Sequence, residues 1–156
     1  MRRLGRNFIF RTHIPISISS SPSLQISHSP SSFLNMFEKS VNRVFVRVAA
    51  ILGATGVGLG AFGAHALKNT LTAKELEFWK TAVLYQLIHA VAVMVRSVAL
   101  PNQRSNRSAW CWSIGVLLFS GSLYGLALTS WSWLGPVTPV GGVFLILGWL
   151  FLIFEA

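Results

Sequence analysis

Three stretches without a charged side chain set the limits on what this chain can fold into: residues 48–67, 81–95 and 108–154 contain no Asp, Glu, Lys or Arg. A helix crosses the hydrocarbon core of a bilayer with roughly 20 apolar residues, so the third stretch alone is long enough for two crossings. In lipid the backbone must satisfy its own hydrogen bonds, and a helix does so within a single segment. Composition agrees: 53% of the 156 residues are apolar and 11% are charged, against about 25% charged in soluble domains, and the mean hydropathy is +0.59. The pattern predicts an all-α integral membrane protein with four transmembrane helices.

The punctuation between the apolar runs places the helices at about 44–67, 79–100, 109–130 and 134–154. Lys39, Arg43 and Arg47 precede or open the first helix at successive i+4 positions, where Arg47 can snorkel to water. Thr72-Ala-Lys-Glu75 is a capping box, so the second helix starts after Thr72, enters the membrane near Trp79 and ends before Pro101. Thr138 and Pro139 read as N-cap and first residue of the fourth helix. About 16 residues then remain, near 24 Å, and the Trp133–Val137 segment is expected to complete that crossing.

Six basic residues (Lys39, Arg43, Arg47, Arg96, Arg104 and Arg107) fall on one side of this frame, and three (Lys68, Lys74 and Lys80) on the other, beside Glu75 and Glu77. The asymmetry predicts both termini on the cytoplasmic face or, in an organelle, the matrix or stromal face. Trp79, Trp110, Trp112, Trp131 and Trp133 fall at helix ends, as an aromatic belt would. The net charge of +9 does not point to nucleic acid, because the cations divide between an N-terminal arm and short loops with no basic face. One cysteine, Cys111, excludes an intramolecular disulfide and a multi-cysteine metal site.

Residues 1–35 differ from everything that follows. Arg2, Arg3, Arg6 and Arg11 occur with no acid, then comes a Ser/Pro-rich run. This composition fits an organellar transit peptide, with a mitochondrial inner membrane favoured over a plastid one; a disordered tail or an upstream start ahead of Met36 are the alternatives. Residues 36–156 form the membrane domain.

Within that domain LGAFGAHAL (59–67), the YQ-x-x-H core of TAVLYQLIHA (81–90), LFSGSLYGLAL (118–128) and VTPVGG (137–142) resemble the small membrane family known as domain of unknown function 423, whose animal members are called transmembrane protein 256-like. The resemblance covers roughly residues 40–154, all but the arm. It implies a compact multi-spanning protein, found from bacterial inner membranes to eukaryotic organelles, and implies no activity. The long arm departs from the bacterial pattern, which starts close to the first helix.

GLGAFG (Gly58, Gly60, Gly63) matches the dinucleotide-binding fingerprint. It lacks the preceding strand and the acid about 20 residues later that such a site requires. A packing role accounts for more: Gly56, Gly60 and Ala64 recur at i+4 as a smooth ridge, Gly121 and Gly125 repeat the device, and Gly141 and Gly142 offer the same on the fourth helix.

His89 lies ten positions beyond Trp79, hence about 15 Å into the membrane. Tyr85 and Gln86 project from the same side of the helix, with Ser120, Ser122 and Tyr124 as candidate partners opposite. Such a cluster either fixes helix register or serves a proton, ion or ligand. His65 should lie nearer the surface than His89, too far in depth for the two to share an iron, and is expected to cap the first helix or anchor at the interface with Arg47 and Arg96. No Asp occurs, the four glutamates lie outside the apolar runs, and LFSGSLYG is not a nucleophile elbow. Catalytic, metal and cofactor residues are therefore not assigned, and no enzyme is expected. The favoured reading is a structural or assembly component that meets the lipid bilayer and pairs with itself or a membrane complex. The alternative is a channel or transporter for protons, ions or a small solute, built on Tyr85, Gln86 and His89.

Overall fold

A computed structural model of the chain describes residues 42–100, 105–129 and 131–155. The arm and Lys39 and Arg104 lie outside the described residues. Four helices follow in order: α1 (Arg43–His65), α2 (Ala73–Ala99), α3 (Arg107–Leu128) and α4 (Val137–Glu155), with a 3-10 turn at Ser132–Leu134 before α4. All four spans are long and apolar enough to cross a bilayer, the last counted from Ser132 through Glu155. The segment around Trp133 thus makes up the length that α4 lacks.

Local chemistry sets the helix ends. At the start of α2 the Thr72 amide donates to Glu75 Oε2 (2.8 Å) and the Glu75 amide donates to Thr72 Oγ1 (3.3 Å), so two otherwise unpaired donors are satisfied reciprocally. The expected N-cap of α4 is not one: the helix already begins at Val137, and the Thr138 hydroxyl shares a 2.7 Å hydrogen bond with Ser122 of α3. Partnering across the helix pair overrides the local capping preference. α1 is closed by its backbone, through Ala66 N–H to Phe62 O at 2.8 Å. His65 is exposed in its last turn and, among the described residues, bonds to none.

Packing follows chain order, α1 on α2, α2 on α3 and α3 on α4. Within the apolar windows of α2 and α3, 39% and 44% of residues are buried, against 22% and 17% for α1 and α4. The middle pair is therefore the core and the outer pair flanks it. The core joins Phe45, Ala49 and Leu52 of α1 to Ala90 and Val93 of α2, Trp112 and Val116 of α3 and Leu145 of α4. Large apolar side chains such as Ile51, Val91, Leu117, Ile146 and Ile153 face outward, as lipid-facing positions do.

Candidate functional site

Glycine positions show how closely the helices approach. On α1, a Cβ at Gly56 would stand 2.7 Å from Leu87 Cδ2, and one at Gly60 would stand 3.3 Å from Val83 Cγ1, so both glycines face α2. The ridge then continues through Gly63, which is buried under the Trp79 ring, and not through Ala64, which is exposed. The turn from i+4 to i+3 keeps the contact on the face that α2 covers.

On α4, a Cβ at Gly141 would fall within 2.7 Å of Phe119 Cα, a backbone-to-backbone approach that a side chain would prevent. Gly142 meets Phe119 only at ordinary contact distance, 3.8 Å. Gly148, under Trp112, and Gly115, 2.5 Å from Leu145 Cδ2 by the same construction, complete the α3–α4 seam. The Gly121/Gly125 pair does not serve as expected. A Cβ at Gly121 would meet nothing within 4 Å, and one at Gly125 would meet Leu134 of the 3-10 turn.

The tryptophans divide accordingly. Trp110, Trp131 and Trp133 are exposed, but Trp79 and Trp112 are buried at 2% and 1% exposure, which corrects their place in an aromatic belt. Each fills the notch above a glycine of a neighbouring helix. Trp79 Nε1 also donates to Leu59 O at 2.9 Å, so the indole's polar edge is satisfied inside the bundle.

The intramembrane polar residues form three groups instead of one. Gln86 Nε2 donates to Leu52 O (2.8 Å) and Thr55 Oγ1 (2.9 Å) on α1, while Gln86 Oε1 accepts from the Tyr124 hydroxyl of α3 (3.0 Å). This brace spans three helices, and Ser120 Oγ adds a bond to Ala82 O at 2.8 Å. A groove of about 320 Å³ runs beside it between α1 and α3, with Gly121 in its wall. His89 belongs elsewhere. Its Nδ1 lies 2.8 Å from Tyr85 O, and its Nε2 accepts from Trp149 Nε1 of α4 at 3.3 Å. That pattern assigns the neutral tautomer with the proton on Nδ1. Tyr85 contributes its ring, stacked at 6.0 Å on His89 and at 4.6 Å on Phe119. Ser122 makes the third group, with Thr138 and Phe119 O. Tyr85 and His89, four positions apart, stay stacked, while Gln86 turns to α1 and α3 because consecutive helical positions are about 100° apart.

The largest polar assembly is one that sequence reasoning missed. Arg96, expected at the interface, is 2% exposed and turned into the bundle there. Its Nη2 meets Glu155 Oε2 at 3.1 Å, Nε donates to Ser108 Oγ at 3.2 Å, Nη1 donates to Asn106 Oδ1 at 2.7 Å, and Nη2 also reaches Ser105 O. Glu155 in turn accepts from the Arg107 amide at 2.8 Å and from the Ser108 amide and hydroxyl. Its carboxylate thus sits on the N-terminus of α3, where the helix dipole favours an anion. Asn42, ahead of α1, donates to Asn106 Oδ1 at 3.3 Å. The charge pair therefore ties the C-termini of α2 and α4 to the N-terminus of α3, and Asn106 links this cluster to the residue ahead of α1. The parity of four spans, which brings Arg96 and Glu155 to the same face, was the available signal. Arg47, by contrast, is exposed in α1.

This geometry is that of a packed bundle with its polar groups turned inward, and sequence comparison places it. The family model described as a protein of unknown function, DUF423, matches residues 59–142, the segment that carries the Gly60–Gly63 ridge, the Gln86 brace and Gly141. The chain belongs to the DUF423 family. It is 41% identical over 113 residues to a UPF0382 membrane protein of Staphylococcus saprophyticus, covering 71% of this chain and 94% of that one. It is 40% identical over 119 residues to the UPF0382 membrane protein YwdK of Bacillus subtilis, covering 73% and 96%. The UPF0382 inner membrane protein YgdD of Escherichia coli is 40% identical over 118 residues, covering 74% and 90%. No solved structure matches the chain. The DUF423 chain is thus an integral, multi-pass membrane protein.

Proposed function

We propose that this DUF423 protein is a structural or assembly component of its membrane and not an enzyme, pairing with a second copy or a larger complex through its outer helices. The observation that carries this is the contrast between interior and flanks. Inside, Gln86, His89 and Ser120 are bonded to protein partners. Outside, α1 and α4 leave most of their surface to the bilayer, and Gly53 and Gly58 of α1 offer positions where a Cβ would meet nothing within 4 Å. Close helix approach is the chemistry such positions favour. A transport path would need polar groups with bonding capacity facing a continuous opening, and both His89 ring nitrogens are engaged.

Placement of both termini on the cytoplasmic, matrix or stromal face is part of this proposal. It is supported by Arg43, Arg47, Arg96 and Arg107 at one end against Lys68, Lys74 and Lys80, beside two glutamates, at the other. An organellar address rests on the composition of residues 1–35 alone; the relatives quoted above are bacterial. Crosslinking in native membranes, followed by identification of the adducts, tests the assembly reading. A dimer or a reproducible heteromeric adduct is expected. A protein that stays monomeric in detergent and in lipid, and yields no adduct, overturns it.

A further inference from the structure

A groove of about 540 Å³ opens on the outside of the bundle between α2 and α4, with Trp112 of α3 at its floor and Trp149 and Leu152 along its α4 wall. Its α2 wall runs from Ile88 to Leu100. At 1.5 Å per residue those twelve steps measure about 18 Å, close to one leaflet of a hydrocarbon core roughly 30 Å thick. The lining is apolar except at one end, where Arg96 forms part of the wall and the Arg96–Glu155 cluster marks the membrane surface. The inner end, at Ile88 and Trp149, lies at the depth of His89. The groove therefore has the length, direction and polarity of one acyl chain entering from the Arg96 side.

Charge selects the head group. At that end Arg96 and Glu155 are buried and neutralise each other, so the exposed charged residues among those described are Arg43, Arg47 and Arg107, all basic. Arg107, whose amide bonds Glu155, opens α3 at this end and is exposed. At the opposite end Lys68, Lys74 and Lys80 are offset by Glu75 and Glu77. An anionic head group is thus favoured beside the groove's mouth, each juxtamembrane arginine strengthening attraction to an acidic lipid. We propose that the α2–α4 groove is a binding site for an anionic phospholipid, with one acyl chain lying along α2 from Leu100 to Ile88 and the phosphate at the Arg107 end.

Tryptophan quenching by chain-brominated lipid tests this, because Trp112 and Trp149 line the groove. The full-length protein with Trp110→Phe, Trp131→Phe and Trp133→Phe is reconstituted in phosphatidylcholine containing a minor fraction of brominated phosphatidylglycerol or brominated phosphatidylcholine. Quenching by the anionic lipid should exceed that by the zwitterionic lipid by about five-fold in apparent affinity, the value of roughly one surface arginine. Ala92→Phe, which fills the groove, should abolish the difference, and Val95→Phe at an exposed groove position should do the same if Ala92→Phe does not fold. Arg107→Gln should reduce it. Quenching that follows bulk lipid fraction for both head groups overturns the proposal. So does an anionic preference that survives both groove-filling variants, which would signify surface attraction only.

Discussion

Glu155→Ala isolates the charge pair that joins the ends of α2, α3 and α4. The substitution leaves the Arg96 guanidinium, 1% exposed at its side chain, without a counter-ion. Breaking a buried pair from one side costs about 3–5 kcal/mol. It also removes the acceptor for the Arg107 and Ser108 amides, and an anion lost from a helix N-terminus costs about 0.3–1 kcal/mol more. Because the cluster sits at the end of the bundle, water can reach it once Glu155 is gone, and the lower bound applies: about 3 kcal/mol in total. Glu155→Gln keeps one acceptor and the shape, and should lose roughly 1.5–3 kcal/mol, the value of hydrogen bonds to a charged group. Arg96→Met combined with Glu155→Leu should recover most of the loss, since two apolar groups leave no stranded charge. Reversible unfolding in mixed micelles measures the series, read by Trp110, which packs edge-on against Phe45 with ring centroids 5.4 Å apart at that end. A Glu155→Ala protein within about 0.5 kcal/mol of wild type would refute the reasoning. Strict additivity of the two single losses in the double variant would refute it as well.

Gly141→Ala should destabilise by about 1–3 kcal/mol, because the new Cβ must displace Phe119 backbone and not a side-chain tip; Gly121→Ala, in open space, should lie within about 0.5 kcal/mol of wild type, and equal effects in the same unfolding assay would contradict the seam. Gln86→Leu removes the brace between α1 and α3 and should cost roughly 1–2 kcal/mol, with Tyr124→Phe costing less since it takes only one of the three bonds. A Tyr124→Phe loss as large as that of Gln86→Leu would show that the α1 bonds contribute nothing.

The features legible in the sequence are those governed by one helix at a time. Charge-free runs gave the spans, Thr72 and Glu75 gave the start of α2, and i+4 spacing gave Gly56 and Gly60. What escaped depends on which neighbour lies opposite. Trp79 and Trp112 near helix ends satisfy the rule for an aromatic belt, yet each ring is equally served by a glycine notch, to which Trp79 alone adds a carbonyl acceptor, the Trp112 indole N–H being buried without a partner among the described residues. Only the pairing of helices reveals Gly63 and Gly148 beneath them. The Gly121/Gly125 pair fails in the opposite way, because small residues permit a close approach without compelling one. Arg96 and Glu155 are 59 positions apart and each looks like an ordinary membrane-surface charge. Their pairing follows from even span parity and from the unsatisfied amides of α3, neither of which a local window contains.

The same distinction bears on His89, the imidazole that spacing alone places deep in the membrane. An imidazole acts in proton transfer when one nitrogen can take a proton as the other releases it. Here Nδ1–H is directed at the Tyr85 carbonyl one turn back, and the lone pair of Nε2 is held by the Trp149 indole. Protonating Nε2 would set two N–H donors against each other at 3.3 Å, in surroundings formed by Trp112, Trp149 and Tyr85 rings. The imidazole's bond to Trp149 is a polar link between α2 and α4 deep in the bundle, beside the groove whose other end carries the Arg96–Glu155 pair. Replacing His89 by Ala removes that bond and should therefore loosen α4 on α2, read as a loss of roughly 0.5–1.5 kcal/mol in the same unfolding assay.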